Sequence, residues 1–380
     1  MDLSNYLSRL YLRKTYSQEL FMSEQHKPCP NCGNELEFSA EHQALFCRHC
    51  ESIAEIENNG GAAVATTGYL ETLAGLDNGE DAPEQIIAVC KNCAAELELP
   101  RNVVADRCSY CSSPIFAAEQ SRRQLRPCAV IPFKINFEAA LEHYRIWLRS
   151  RWFLPGKVKR QARTGKFNGV YLPHWTYDCG TKTDYTGQRG EYYYVTVSYT
   201  AVENGKSVRR TRQERRTRWY PAAGTVENRF RNVLVPANHS LPETLVKKLE
   251  PWSLGSLIGY QPDLIRGYQE QSYSVSLESG FGEAKVIMEP QIRETIRRAI
   301  GGDVQRIDGV AVAYHNIGFK LVLLPVWVNA FKFRNKEYIF LVNARTGEVQ
   351  GERPWSVWKI IFFSIFILAL VAGVIFFLNR

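Results

Sequence analysis

The alternation of apolar and polar residues predicts a β-rich body that covers residues 119–352. Strand patterns are found in YYYVTVSYT, KLVLLPVWVNAFKF and EYIFLVNARTGEV. Turn residues are expected at 203–206 and at Arg334-Asn335, where they would close hairpins. The pattern therefore predicts an α+β fold with a mainly antiparallel sheet.

Three segments of this body have a helical pattern instead. FEAALEHYRIWLRSRWF follows the candidate cap Asn136 and is expected to stop at Pro155-Gly156. A second helix is expected near 241–249. The third is EPQIRETIRRAI, in which Pro290 suits the first turn and two glycines follow the last residue.

Both ends of the chain have patterns of their own. Residues 1–25 hold apolar side chains at helical spacing and are predicted to form a short amphipathic helix. Ile360 to Leu378 is almost purely apolar and, at about 1.5 Å per residue, spans roughly 28 Å, which is close to the hydrocarbon thickness of a bilayer. Aromatic and basic residues precede it, as at a membrane interface: Arg353, Trp355, Trp358 and Lys359. We expect a single C-terminal membrane anchor over 353–380, with the bulk of the chain in the cytosol.

Eight of the ten cysteines form four C-x-x-C pairs. The first residues, MDLSNYLSRLYLRKTYSQ, lack an apolar run long enough for a signal peptide, so we expect the thiols in a reducing cytosol, where this spacing is typical of metal binding. The pattern C-x2-C-x14-C-x2-C occurs twice, 61 positions apart, and predicts zinc ribbons at 26–60 and 87–118. The small, acidic segment 61–86 between them is predicted to be a flexible linker. The candidate ligands are Cys29, Cys32, Cys47, Cys50, Cys90, Cys93, Cys108 and Cys111.

Four thiolates satisfy Zn²⁺ at about 2.3 Å and leave no open coordination position, so two structural Zn²⁺ ions are predicted. Tetrathiolate sites also accept iron, and the sequence leaves that alternative open. The acidic residues of both ribbons offset their basic ones, which favours contact with protein over contact with nucleic acid. The net charge of +8 indicates only that anionic partners are tolerated.

The stretch TAVENGKSV, residues 200–208, comes within one residue of a phosphate-binding loop, with Thr200 in place of the first glycine. Such a loop joins a strand to a helix, whereas Asn204-Gly205 here is typical of a two-residue hairpin turn. The pattern therefore argues against nucleotide hydrolysis. Pairing about that turn predicts these cross-strand neighbours: Tyr199 with Arg210, Tyr193 with Arg216, and Glu191 with Arg218.

The returning strand of this hairpin is rich in arginine. Interleaved with tyrosines, its cations are a candidate surface for single-stranded nucleic acid or for anionic lipid headgroups. A solvated hairpin with cross-strand Tyr–Arg and Glu–Arg pairs explains the same pattern equally well. The residues are Arg209, Arg210, Arg212, Arg215, Arg216 and Arg218.

Two cysteines stand apart from the ribbons. Cys179 lies near His174 in PHWTYDCG, but a strand would place His174 and Asp178 on one face and Cys179 on the other. Buried structural roles are the ordinary explanation for Cys128 and Cys179. Because no hydrolase, zinc-protease or dinucleotide-binding fingerprint is present, the chain is not expected to be an enzyme.

The chain resembles a bacterial family of membrane-anchored proteins with tandem transcription-factor-IIB-type zinc ribbons. The resemblance rests on CPNCG, CRHC, VIPFKI, YLPHWTYD, LEPWSL, GGDVQRI, LLPVWV and VNARTGEVQGERPWS, and it extends to the C-terminal apolar run. Such proteins are often labelled primosomal protein N-prime (replication factor Y) or superfamily II helicase. This sequence has neither a nucleotide-binding loop nor a helicase core, so the label reflects the ribbons alone. His174 departs from the family, where an aromatic or apolar residue is expected.

The family is similar to a Bacillus component that works alongside phage-shock-type and SPFH or virion-core-like proteins. The resemblance thus implies an envelope-stress or scaffold role at the bacterial inner membrane. We expect a non-enzymatic adaptor whose ribbons reach outward on the linker to recruit a soluble protein partner. The alternative is a membrane-tethered nucleic-acid-binding protein that uses the ribbons and the arginine-rich hairpin. An enzyme acting through Cys179 or His174 ranks last.

Overall fold

The structure is a computed structural model of the chain. It describes residues 27–56, 66–77, 84–90, 96–99, 105–108, 113–116, 121–123, 125–156, 158, 167–203, 206–333 and 336–378. The predicted N-terminal helix within 1–25 lies outside these residues, and so do the central residues of both predicted hairpin turns.

Within the described residues, short strands surround three long ones. The strands are β1 (Glu37–Ser39), β2 (Ala44–Phe46), β3 (Ile53–Ala54), β4 (Thr67–Gly68), β5 (Glu84–Val89), β6 (Glu96–Leu99), β7 (Ala105–Arg107), β8 (Pro114–Phe116), β9 (Ser121–Arg123), β10 (Ala129–Val130), β11 (Asn168–Glu203), β12 (Lys206–Pro236), β13 (Ile258–Gly259), β14 (Gln269–Glu270), β15 (Val304–Phe333), β16 (Lys336–Asn343) and β17 (Val349–Gly351). The helices are α1 (Tyr69–Asp77), α2 (Phe137–Ser150), α3 (Glu243–Lys247), α4 (Pro262–Ile265), α5 (Leu277–Ile300) and α6 (Val357–Leu378), with a 3₁₀ turn at Leu254–Ser256.

The largest sheet is built on β11, which pairs antiparallel with β12 on one side and β15 on the other. At about 3.3 Å per residue, the 36 residues of β11 extend for about 120 Å along the strand. β12 accompanies β11 as far as Glu203, whereas β15 begins at Val304, opposite Gly190. Beyond that point the sheet continues as a two-stranded arm. The strand order is β12-β11-β15-β10-β13, and the predicted α+β fold with a mainly antiparallel sheet is confirmed.

The side-chain pattern of β11 determines which face of the sheet is covered. Thr181, Thr183 and Tyr185 are buried on the side that α5 covers, whereas Lys182 and Asp184 are exposed on the other side. This alternation follows from the period of two in a strand, because successive side chains point to opposite faces. The middle of the long sheet therefore has one face against a helix and one polar face in solvent.

α5 covers the sheet with a stripe of apolar side chains and begins earlier than predicted. Its buried residues are Leu277, Gly280, Phe281, Ala284, Met288, Ile292, Ile296 and Ile300. Ser276 caps the helix by accepting a hydrogen bond from the Ser279 N–H at 3.1 Å. The prediction that Pro290 lies in the first turn was wrong, since Pro290 is inside the helix. Gly280 and Gly282 precede Pro290 and weaken the helical pattern in the sequence. Packing against the sheet stabilises the helix over these residues.

α2 has the predicted cap but ends five residues before the predicted stop. The Asn136 Oδ1 accepts a hydrogen bond from the Ala139 N–H at 2.9 Å, as an N-cap does. The helix ends at Ser150, and the segment up to Pro155 forms turns instead. A proline disfavours helical geometry in the residue before it, which accounts for part of this early end.

Part of the predicted linker is structured. Within 61–86, β4 pairs with β15 at Gly318, and α1 follows it directly. Tyr69, at the start of α1, is buried against Tyr177 and Phe281, with ring centroids at 6.4 and 5.0 Å. The expectation of a flexible linker therefore does not hold for 66–77, because this aromatic side chain fixes the segment to the sheet.

The close approach of α5 to the sheet depends on Gly280. A Cβ at this position would lie 2.6 Å from the Tyr177 Oη and 2.8 Å from the Trp175 Cδ1, so Gly280→Ala should push the helix away. We expect the free energy of unfolding to fall by about 1–3 kcal/mol, although alanine favours helices. The measurement is urea denaturation of the full chain in detergent, followed by tryptophan fluorescence.

Gly282→Ala is the matched control, since nothing lies within 4 Å of the added Cβ on the same helix. It should raise the free energy of unfolding by about 0.5–1 kcal/mol through helix propensity alone. Equal stabilisation by both variants would contradict the packing described for Gly280.

Candidate metal centres and the surfaces around them

Four cysteine sulfurs converge in the first cysteine unit. The Sγ atoms of Cys29, Cys32, Cys47 and Cys50 all lie within 4.8 Å of one another. Cys29 and Cys50 are 3.5 Å apart, as are Cys32 and Cys47. A tetrahedron with metal–sulfur bonds of about 2.3 Å has edges of about 3.8 Å, so the separations fit one ion. This group can therefore hold a metal ion, as the spacing predicts.

Two tight turns present these thiols at the ends of the β1–β2 hairpin. The N–H of the first cysteine in each turn donates to the carbonyl five residues further on, from Cys29 to Asn34 at 2.6 Å and from Cys47 to Ser52 at 2.9 Å. The Cys29 carbonyl accepts from the Gly33 N–H at 2.9 Å, and Gly33 has a φ of +76°. Glycine adopts this left-handed conformation without steric cost, so its place after the second cysteine has a local reason.

Ser52 makes one of these thiols more acidic. Hydrogen bonds from its side chain and from its backbone lower the pKa of Cys50 to about 6. The Cys50 Sγ and the Ser52 Oγ are 3.0 Å apart. The thiolate, which is the form that binds metal, is therefore favoured at neutral pH.

The second cysteine unit repeats the strand register of the first, 61 positions later. The Cys108 N–H donates to the Ser113 carbonyl at 2.8 Å, as Cys47 does to Ser52. Cys93 and Cys111 lie outside the described residues, so the structure places two of the four candidate ligands. The repeated pairs are Pro28 with Glu35 and Phe46 with Ile53 in the first unit, and Val89 with Glu96 and Arg107 with Pro114 in the second.

The first unit is docked on the body. The Phe38 N–H donates to the Arg266 carbonyl at 2.9 Å, and the Phe38 ring is buried in one apolar cluster with the body residue Phe133. Lys27 forms an ion pair with Asp263 at 2.6 Å. The expectation that this ribbon reaches outward was wrong, because backbone and apolar contacts hold it against the sheet.

The described cysteines of the second unit also face the body. Cys90 and Cys108 are each 1% exposed and belong to the same buried cluster as Leu172, Leu245 and Leu324. Leu172 and Leu324 lie on β11 and β15, so this cluster joins the second cysteine unit to the central sheet. The two cysteine units thus meet the same body through different apolar clusters.

The arm comprises residues 191–203 and 206–218. Its predicted cross-strand pairs, Tyr199 with Arg210, Tyr193 with Arg216 and Glu191 with Arg218, are all observed. The hairpin prediction is therefore confirmed, and with it the exclusion of a phosphate-binding loop at this position. By strand alternation, four arginines lie on one face and two on the other. The first set is Arg210, Arg212, Arg216 and Arg218, and the second is Arg209 and Arg215.

The arginines of the arm are exposed, but several have aromatic or acidic neighbours that partly balance their charge. The Arg215 guanidinium lies 4.3 Å from the centroid of the Tyr192 ring, and that of Arg218 lies 5.1 Å from the Tyr193 ring. Glu214 pairs with Arg212 at 3.3 Å and with Arg216 at 3.6 Å. These contacts match the solvated-hairpin explanation while leaving a cationic surface in solvent.

α6 is a fully exposed apolar helix. Its 22 residues have a mean hydropathy of 3.0 over the most apolar window, and none is buried. At about 1.5 Å per residue the helix is about 33 Å long. It is therefore long and apolar enough to span a bilayer, as the sequence predicts.

The start of α6 is held by the segment after α2. The Lys359 Nζ donates to the carbonyls of Trp152 and Leu154, both at 2.9 Å. The rings of Trp152 and Phe153 contact Phe363, with centroids at 5.4 and 5.6 Å. Sequence reasoning missed this contact. The Trp-Phe pair before Pro155 was the available signal, since aromatic side chains collect where a helix enters a membrane.

The remaining candidates, Cys128, His174 and Cys179, are separated. Burial raises the pKa of Cys179 to about 11 and also raises that of Cys128, so neither thiol is activated. The Cys179 Sγ contacts the Met288 Sδ at 3.5 Å on the face that α5 covers, opposite His174 as predicted. Burial lowers the pKa of His174 to about 4, so its ring is neutral at pH 7.

One relative is similar over most of its length. It is a protein of Bacillus subtilis (strain 168), described as uncharacterized protein YdjG, which is 26% identical over 334 residues. The match covers 87% of this chain and 91% of that protein. No protein-family model and no solved structure matches the chain.

The Cys29/Cys32→Ser double variant tests the first metal centre. Removing two of the four sulfurs should lower the metal bound per chain by one equivalent, because serine does not replace a thiolate ligand. The measurement is elemental analysis of the purified full chain by mass spectrometry.

The Cys128/Cys179→Ser variant is the control, since both residues lie outside the cluster. It should leave the metal content unchanged. An unchanged content in the Cys29/Cys32→Ser variant would mean that the four sulfurs do not hold an ion.

Proposed function

We propose that the protein is a non-enzymatic adaptor, anchored in the bacterial inner membrane by α6, that recruits a soluble protein partner to the cytoplasmic face. The observation that carries the proposal is the exposed apolar helix whose first turn is held by the folded body. An apolar surface of this size in water is unfavourable, and a bilayer covers it.

The junction at Lys359 supports the anchor. Near a membrane surface a lysine ammonium needs polar partners, and here the carbonyls of Trp152 and Leu154 supply them. Trp355 and Trp358 are exposed beside this junction, where indole rings are favoured at the headgroup level. The arrangement would hold the body against the bilayer surface.

Two structural Zn²⁺ ions are part of the proposal. In the first unit Cys29, Cys32, Cys47 and Cys50 would hold the ion, which supplies a cross-link between the two turns. The repeated strand register and the Cys108–Ser113 hydrogen bond support a second, similar centre. Small folds of this size gain their stability from the metal, which favours a structural role.

The environments of Cys128 and Cys179, the two cysteines outside the ribbons, support a role without catalysis. The two isolated thiols have raised pKa values, and His174 lies on the opposite face of β11 from Cys179. The similarity of the motifs to the Bacillus component favours phage-shock-type or SPFH-like proteins as the partners.

The exposed arginines of the arm support an alternative, a membrane-tethered protein that binds nucleic acid. Its affinity would fall steeply with salt, because each phosphate contact releases counterions. Replacing all six arginines with serine would weaken binding to a single-stranded oligonucleotide. Binding that is absent, or insensitive to salt, would remove this alternative.

Recruitment to vesicles tests the adaptor. Vesicles that carry the full-length protein are incubated with a nuclease-treated soluble bacterial extract, floated through a density gradient and analysed by mass spectrometry. We expect a phage-shock-type or SPFH-like protein at about one copy per chain, and none on bare vesicles. The variant with serine at the six arginines should retain it.

Recovery that occurs only in untreated extract, and that the arginine-to-serine variant loses, would contradict the adaptor. Replication or transcription proteins would then be the expected companions, held through nucleic acid. The same preparation thus separates the two candidate functions.

A further inference from the structure

A groove runs along the outer edge of β12, between residues 229 and 236. β12 is the terminal strand of the sheet and, among the described strands, pairs with β11 alone. α5 forms one wall of the groove, and the segment 246–254 forms the other. The groove encloses about 730 Å³. A sheet edge between two walls is the arrangement in which a further strand can be added.

The backbone of β12 has free hydrogen-bonding groups in this groove. Hydrogen-bonded and non-hydrogen-bonded pairs alternate along an antiparallel ladder. The Ala237 N–H donates to the Pro173 carbonyl at 3.0 Å, so Pro236 and Leu234 belong to non-hydrogen-bonded pairs. Their backbone groups therefore point away from β11. Leu234 offers an N–H and a carbonyl to the groove, and Pro236 offers a carbonyl.

The groove is cationic. Arg229 and Arg231 line it and are exposed, and no carboxylate among the described residues pairs with either. Lys247 adds a third positive charge at one wall of the groove. It forms an ion pair with Glu243, which does not line the groove. Glu250 is the one acidic residue in the lining. The unbalanced arginines favour a ligand that carries negative charge.

The floor of the groove holds a buried acceptor. His174 is 1% exposed, and its Nδ1 lies 3.1 Å from the Leu172 carbonyl, so the ring donates there. In the neutral ring Nε2 is then left as an acceptor. Trp252 lies beside the ring, with centroids 6.3 Å apart, and contributes apolar surface. An N–H or O–H of a ligand would satisfy this nitrogen.

The shape of the edge selects a short occupant. The register of β12 shifts between Phe230 and Val233, where two residues oppose one of β11, and Asn232 has a φ of +52°. Bulges and prolines protect a sheet edge against pairing with a second copy of the same sheet. The open stretch around Leu234 is long enough for a few residues of an extended segment.

We propose that this groove binds an extended acidic segment of the partner protein, which adds to β12 as a short antiparallel or parallel strand. The inference rests on the proposed adaptor function for its partner and names the chemistry that the partner must present. Acidic side chains would meet Arg229 and Arg231, and the alternate apolar side chains, on the opposite face of the added strand, would contact Ile287 on the α5 wall.

Peptide binding to the full-length protein in detergent tests the proposal. The probe is a fluorescein-labelled octapeptide of alternating Glu and Val, and binding is measured by fluorescence anisotropy. We expect a peptide of alternating Lys and Val, and the acidic peptide methylated at alternate backbone nitrogens, to bind at least about tenfold more weakly.

Two variants locate the site. Arg229/Arg231→Glu should weaken binding of the acidic peptide about tenfold, and Leu234→Pro, which removes an outward N–H, should weaken it as well. Arg209/Arg210→Glu makes the same change in charge on the arm and should leave the affinity within about twofold. Thermal melting of each variant confirms that the fold is retained.

Equal binding of the backbone-methylated peptide, or an affinity that Arg229/Arg231→Glu does not change, would overturn the proposal. Retained peptide binding without recruitment to vesicles would remove the adaptor function and leave the groove assignment supported. Recruitment to vesicles without peptide binding would remove the groove assignment and leave the adaptor function supported.

Discussion

The pairing of β11 with both β12 and β15 is the constraint on which the rest of the structure depends. Because β15 begins opposite Gly190 and pairs with no residue of β11 beyond it, the hairpin of β11 and β12 continues alone and forms the exposed arm. Because β12 has no outer neighbour among the described strands, its edge is open to the groove. The same sheet supplies the surfaces on which α5, α1 and both cysteine units pack. The hydrogen bonds of this sheet therefore fix the groove and the arm relative to each other, and the contacts of Phe38 place the four cysteine sulfurs of the first unit on the same body.

Features that depend on short local motifs could be predicted from the sequence. The cap at Asn136, the hairpin of β11 and β12 and the C-x2-C pairs of the first cysteine unit each follow from short local motifs, and the structure contains all three. The docking of the first ribbon was not readable, because the Phe38–Arg266 hydrogen bond joins residues far apart in the chain. The start of α5 was missed for the same reason, since Gly280 lies against Trp175 and Tyr177 of the sheet, about 100 positions away in the sequence.

Docking on the body changes what the first cysteine unit can contribute to recognition. A ribbon on a flexible linker searches a volume for its partner, whereas a docked ribbon presents one surface at a defined place. If α6 spans a bilayer as proposed, it would set where that surface lies, since Lys359 and Phe363 tie the first turns of α6 to the segment after α2. In the proposed adaptor, a metal ion held by the four sulfurs would stabilise a part of the platform, and recognition would belong to the open edge of β12.

The most direct test of this fixed platform is hydrogen exchange of the Phe38 amide in the metal-bound full chain, measured at single-residue resolution. This N–H points away from β2 and bonds to Arg266 on the body, whereas the neighbouring amides of Glu37 and Ser39 bond within the hairpin. The account predicts that Phe38 exchanges as slowly as these two neighbours. Exchange at the rate of an unprotected amide, with both neighbours still protected, would mean that the ribbon is folded but swings free of the body.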